Sequence, residues 1–370
     1  MLQCALLKHF ITLKRRAFPL LRMEKFSEMI SAGIIGSGAW GTTLALLLAR
    51  KGIATTIWEH NAERASEMQN TRVNRTFLPE MAFPDALQVT NSIAEATQRK
   101  DIIILVTPSQ RLRSNLRLLQ PFLAAGTILV SASKGIEIES LCRMTEVIEE
   151  EIPQSYTRIA ALSGPNLSKE VAQGMPAAAV VAAHEREIAI QVRALLTCDT
   201  FRVYTSHDII GVELGGALKN IVAIGTGIND GLGYGENSKA AIITRGLAEI
   251  SRLGIAAGAN PLTFSGLAGI GDLVATCTSV LSRNHQLGRR LGAGEKLDDI
   301  LASTHTVAEG VYTTRAALRL AQRYSIEMPI TSQISQVLFE GLDPRKAVPQ
   351  LMSRDLKHEL AGIAPEESDA

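Results

Sequence analysis

Gly36, Gly38 and Gly41 are spaced as GxGxxG within Gly36-Ser37-Gly38-Ala39-Trp40-Gly41. This spacing suits holding a dinucleotide pyrophosphate against bare main chain. Gly36 permits a tight turn, and Gly38 lets the backbone approach the pyrophosphate. Gly41 lets the following helix pack against the preceding strand. A helix starting here would turn its unpaired N–H groups and positive dipole end toward the phosphates. Glu59 follows Gly41 by 18 positions, near where an acid binds the ribose hydroxyls of NAD. His60 and Arg64 could instead approach the 2′-phosphate of NADP. The residues therefore leave NAD and NADP both open.

The elements around this turn give it meaning. Ser31 to Ile35 reads as a strand, Thr42 to Arg50 as a helix stopped by Gly52, and Ala54 to Trp58 as a second strand. Together they have the size of a βαβ crossover. Asp101 to Val106 is a continuous apolar run, as expected of a central parallel strand covered on both faces. Thr127 to Ser131, Ile159 to Leu162 and Ala177 to Ala182 repeat the strand signal. Near Tyr204 the character changes, and from Ile209 onward helix formers with glycine caps dominate. The reading is an α/β chain: an N-terminal Rossmann-like parallel-sheet domain over residues 29–203, then an all-helical C-terminal domain over 204–362. The polar tail, APEESDA, is expected to fray.

The chain has 370 residues, 46% of them hydrophobic, enough for two cores rather than one. Only 4% are aromatic, which suits small side chains packed closely around a parallel sheet. Lys plus Arg total 38 against 37 acids, so no basic field points to nucleic acid. Cys4, Cys142, Cys198 and Cys277 form no CxxC pair and no zinc spacing; reduced thiols and no metal are expected. No apolar run approaches the roughly 20 residues of a membrane helix. Residues 1–28 read as a basic, unstructured extension. Lys8, Lys14, Arg15, Arg16 and Arg22 stand in its first 22 residues with no acid, and Lys8 to Arg15 leaves too short an apolar core for a secretory signal. A targeting segment, a mobile extension and a later start at Met23 or Met29 all remain open.

Four further segments need one explanation: Ser133-Lys134-Gly135, Ser163-Gly164-Pro165-Asn166, Gly211 to Asn220 (GVELGGALKN) and Gly266 to Asn284 (GLAGIGDLVATCTSVLSRN). With GSGAWGT in front, their order and spacing resemble the bacterial-type NAD(P)-dependent glycerol-3-phosphate dehydrogenase family. The resemblance runs from about Gly33 to Met352. Two positions depart from it. Ala39 stands where many members carry a hydroxyl or amide residue, and Asn166 stands where Ser or Thr is frequent.

The resemblance implies reduction of dihydroxyacetone phosphate to sn-glycerol 3-phosphate for phospholipid synthesis, with NAD or NADP as cofactor. It also implies a cytoplasmic homodimer without membrane insertion. Lys219 would be the general acid/base, Lys134 a second cation touching substrate, and Asp272 the orienting acid. A lysine of ordinary pKa, about 10.4, is charged at neutral pH; burial and a second cation would lower it. Gly164, Asn166 and Thr276 would contact the substrate with Lys134, Lys219 and Asp272. Asn220 would be a polar positioner. Ser282, Arg283 and Asn284 would hold the substrate phosphate. Cofactor contacts would come from Gly36, Gly38, Ala39, Trp40, Gly41, His60, Lys134, Ser168, Arg283, Val307 and Glu309. His207, His285 and His305 gain no catalytic role from the resemblance.

Overall fold

The computed structural model describes residues 30–303, 308–356, 358–359 and 361–363. The basic extension, Val307, His305 and the polar tail lie outside the described residues. Among the described residues, ten strands run in chain order: β1 Ser31–Ile35, β2 Ala54–Trp58, β3 Val73–Asn74, β4 Leu78–Ala82, β5 Leu87–Thr90, β6 Ile102–Leu105, β7 Ile128–Ser131, β8 Ile159–Ser163, β9 Ala177–Ala183 and β10 Phe201–Ser206. Eight form one sheet in the order β10-β9-β8-β7-β6-β1-β2-β5, while β3 and β4 pair separately. Every neighbour in the large sheet is parallel except β8 with β9.

Alternation along the strands explains the continuous apolar runs. Ile34 and Ile104 pack with Leu44, Leu48 and Val192 on one face of the sheet. Ile35, Ile103 and Leu105 pack with Leu112, Leu116, Val147 and Ile148 on the other. Both faces are covered, so no polar face is needed.

The apolar runs did not mark β5 or β10. Phe201 and Val203 are buried while Arg202, Tyr204 and Thr205 are exposed, the alternation of an edge strand with one wet face. β10 therefore runs through the expected boundary at Tyr204 and ends at Ser206. The helical region begins at Ile209, and no strand follows among the described residues.

The Ile209–Gly231 helix is its axis, with every residue from Gly211 to Asn229 buried. This amends the expectation that no segment reaches membrane-helix length. The helix is long and apolar enough by length and composition, but 94% of its apolar window is buried inside the protein. It is a core helix wrapped by others: its own Leu218, Ile221 and Ile224 share one core with Leu253, Leu287 and Leu320 from the surrounding helices. Its glycines allow backbone contact with the Arg283–Gly292 helix. A Cβ at Gly227 would lie 2.1 Å from the His285 carbonyl oxygen, and one at Gly288 would lie 2.0 Å from that of Ile224. This contact sets the distance between the helix carrying Lys219 and the helix carrying Arg283.

Candidate active site

The site is built at the carboxyl ends of β1, β6, β7 and β8, where ligands bind open α/β sheets. After β1 the chain turns at Gly36, whose φ of +116° disfavours a side chain. A Cβ there would also lie 2.5 Å from the Val106 carbonyl oxygen, just past β6. The Ala39–Arg50 helix then begins at Gly38 with no side-chain cap. Among the described residues, nothing lies within 4 Å of where a Gly38 side chain would start. Free N–H groups beside open space fit a pyrophosphate. Trp40 packs edge-on against Phe201, and its indole N–H is buried without a partner among the described residues. Ser168 opens a short helix, and its carbonyl accepts a 3.0 Å bond from the Thr43 hydroxyl of the dinucleotide helix.

At the end of β2, Glu59 is only 1% exposed. One carboxylate oxygen accepts the Asn61 N–H at 2.8 Å and lies 3.0 Å from His60 Nδ1. The other accepts the Ser37 hydroxyl and lies 3.2 Å from the Arg64 guanidinium. His60 is well exposed. Both oxygens of the acid are engaged within the protein, and the two basic side chains lie against it.

Lys134 follows β7, Gly164 follows β8, and Lys219 lies mid-way along the buried helix. A π-helical turn over Leu267–Gly271 delivers Asp272 to the start of the Asp272–Thr278 helix. Asp272, 1% exposed, bonds Lys219 through one carboxylate oxygen and Lys134 at 2.7 Å through the other. Lys134 also donates to the Gly164 carbonyl at 3.0 Å, and Lys219 to the Thr276 hydroxyl at 2.6 Å. Burial lowers the Lys219 pKa to about 8; the Asp272 charge opposes the shift and the Lys134 charge assists it. A lysine near neutrality can both give and take a proton at working pH. Asn166 is partly buried, and neither its amide nitrogen nor its oxygen has a partner among the described residues.

Ser282 caps the Arg283–Gly292 helix, its hydroxyl accepting the His285 N–H at 3.3 Å. Arg283 retains exposed surface, yet the protein around its guanidinium lowers its pKa by desolvation, opposed by the Glu309 charge. Asn284 turns inward. It donates to the Asn220 side chain at 2.9 Å and accepts the Gly310 N–H at 3.0 Å, locking the two helices to the start of Glu309–Arg323. Glu309 in turn accepts the Ser109 hydroxyl at 2.6 Å and its N–H at 3.2 Å. Desolvation raises the Glu309 pKa.

The structure thus brings Lys134, Gly164, Lys219, Asp272 and Thr276 into direct contact, and links Asn220, Asn284, Gly310, Glu309 and Ser109 in a second chain of bonds. His60 belongs to a separate cluster with Glu59 and Arg64. Ser109, and Asn74, whose amide holds the Ser37 carbonyl at 2.8 Å, were not anticipated. For Ser109, the available signal was its place just past the apolar strand DIIILV. His285 is buried and lies 2.9 Å from Asp230, outside the lysine cluster.

Two family models match the chain. The N-terminal region of NAD-dependent glycerol-3-phosphate dehydrogenase matches residues 31–189, and its C-terminal region matches 208–349. A Geobacter sulfurreducens protein named glycerol-3-phosphate dehydrogenase [NAD(P)+] is 52% identical over 328 residues, covering 88% of this chain and 98% of that one. A protein of the same name from Pelotomaculum thermopropionicum is 48% identical, covering 90% and 95%. The crystal structure of the Coxiella burnetii glycerol-3-phosphate dehydrogenase superposes with a TM-score of 0.84 at 38% identity, covering 88% and 99%. On these matches, the chain belongs to the NAD-dependent glycerol-3-phosphate dehydrogenase family.

Proposed function

We propose that this chain reduces dihydroxyacetone phosphate to sn-glycerol 3-phosphate, with Lys219 exchanging the hydroxyl proton and NADH or NADPH as cofactor. The observation that carries this reading is a buried lysine with a pKa of about 8, held by a carboxylate that also binds a second lysine. The dinucleotide would lie on the Gly36–Gly41 turn, where open space at Gly38 and the uncapped helix start suit it. When bound, its nicotinamide supplies the hydride in the reductive direction.

The chain's own residues supply the rest. Protonated Lys219 donates to the substrate oxygen as it gains negative charge. Asp272 and Thr276 fix the ammonium group so that little reorganisation accompanies the transfer. Lys134 adds positive charge beside the same oxygen. The partly buried Asn166 amide, without partners among the described residues, would bond a substrate hydroxyl and so satisfy both itself and the ligand. Ser282, Arg283 and the start of their helix would take the phosphate, combining a guanidinium with the positive dipole end of the helix. His60, Ser168, Arg283 and Glu309 complete the cofactor side of this reading. Supply of glycerol 3-phosphate for phospholipid synthesis, a cytoplasmic location and a homodimer are further parts of it.

The test is the loss of reduced-nicotinamide absorbance with dihydroxyacetone phosphate, for wild type and Lys219→Ala. Turnover should fall about a thousandfold in the variant, within the range for removing a positioned acid/base, while dinucleotide binding persists. Wild type without turnover would refute the substrate. A variant within a few fold of wild type would refute the role of Lys219.

A further inference from the structure

Ser109 follows β6 in the segment Val106-Thr107-Pro108-Ser109, which walls the glycine turn. Gly36 packs directly on Val106 and Thr107. Thr107 in the same wall is 7% exposed, and its buried hydroxyl has no partner among the described residues. A buried, unpaired hydroxyl carries a desolvation cost that a ligand can offset, so this wall points to the dinucleotide cleft.

Ser109 is itself 1% exposed and donates twice to one carboxylate, by hydroxyl and by main-chain N–H, to the two oxygens of Glu309. Bonds to a charged acceptor are roughly twice as strong as neutral ones. The Ser109 hydroxyl also accepts from the Gln110 amide at 3.1 Å, and that amide donates to the Ile136 carbonyl at 2.8 Å. Gly135 leaves no slack, since a Cβ there would lie 2.5 Å from both Cβ and Oγ of Ser109. The hydroxyl is therefore held between fixed neighbours. Glu309 opens the helix whose second residue, Gly310, is bonded to Asn284 beside Arg283. Through Ser109, the helix system carrying Arg283 is tied to the wall of the dinucleotide turn.

We propose that Ser109 is a positioning residue for nicotinamide dinucleotide binding, setting the Glu309 carboxylate against the β6 wall of the cofactor cleft. It touches neither the lysine cluster nor the phosphate helix directly, so its loss should weaken cofactor binding and spare the chemical step. The inference rests on the reading of the glycine turn as a dinucleotide site.

The test uses the full chain as wild type, Ser109→Ala, Glu309→Gln and the double variant. NADH and NADPH binding are titrated by fluorescence without substrate, followed by steady-state rates. Ser109→Ala should weaken dinucleotide binding about tenfold, leaving kcat and the KM for dihydroxyacetone phosphate within about twofold. The double variant should bind little worse than the weaker single, because both changes break one contact. Wild-type affinity in Ser109→Ala, or additive losses in the double variant, would overturn the proposal; so would a loss confined to kcat. Where Ser109→Ala lowers the melting temperature, Gly135→Ala gives a second displacement of the same hydroxyl, and unaltered dinucleotide affinity there counts against it equally. Binding is read without substrate, so a wild type inactive on dihydroxyacetone phosphate would sink the proposed reaction and still allow Ser109 to be judged.

Discussion

Lys219 and Asp272 form a buried ion pair between two different helices, one the axis of the helical region and the other opened by a π-helical turn. Asp272 has a second oxygen, and Lys134 takes it. The lysine is thereby kept buried without losing its partner, and its proton affinity is tuned by three named influences.

The pH profile follows from that arrangement. Burial lowers the Lys219 pKa to about 8, so reduction, which needs the protonated form, should decline as pH rises through about 8. Oxidation of glycerol 3-phosphate needs the neutral form and should rise over the same interval. Asp272→Asn removes the charge that raises this pKa, so both limbs should move to lower pH. Rates of kcat/KM in both directions measure this, and flat profiles through that interval would remove Lys219 as the titrating group.

Arg283→Ala should raise the KM for dihydroxyacetone phosphate about a hundredfold, the scale of a lost charge-assisted phosphate contact. With dinucleotide held saturating for each form, dihydroxyacetone, which lacks the phosphate, should be used equally poorly by both. Equal losses on the two substrates would show that Arg283 serves something other than phosphate.

At the end of β2, Glu59 has both oxygens engaged inside the protein, while His60 and Arg64 lie against it. A 2′-phosphate would meet the Arg64 guanidinium and the His60 imidazole there. The double variant His60→Ala with Arg64→Ala should raise the KM for NADPH about tenfold and leave that for NADH nearly unchanged. Matching rises for both cofactors would place these side chains away from the 2′-phosphate.

Gly227→Ala tests the helix contact that sets the site's dimensions. Its Cβ would meet the His285 carbonyl oxygen at 2.1 Å, and overpacking of this kind costs about 1–3 kcal/mol or more. A fall of several degrees in melting temperature is expected, with impaired activity. Gly235→Ala, where nothing among the described residues lies within 4 Å, is the control and should melt close to wild type. Equal melting of both variants would mean the helices can separate without cost.

Much of the scaffold was legible because local patterns determine it. The runs at Asp101 to Val106 and Thr127 to Ser131 are apolar on both faces, which only a covered strand requires. β5 and β10 were harder to read because Gln88, Arg202 and Tyr204 sit on wet faces at the sheet's edges, where the apolar signal is halved. Gly227 and Gly288 carried no local signal of their purpose; each is explained only by the helix across from it.

The sequence by itself determined the glycine turn, the alternation that buries β1 and β6 on both faces, and the motif order that marks the family. These depend on neighbours along the chain. Tertiary structure alone decided that Asp272 bridges Lys134 and Lys219, that Glu59 is used up by its own neighbours, and that Ser109 reaches Glu309. Those pairs are separated by 138, 53, 22 and 200 positions, counting the Ser37 contact for Glu59. No local preference encodes such distances. They arise when the helical core packs against the strand ends, and burial there lowers the Lys219 pKa to about 8.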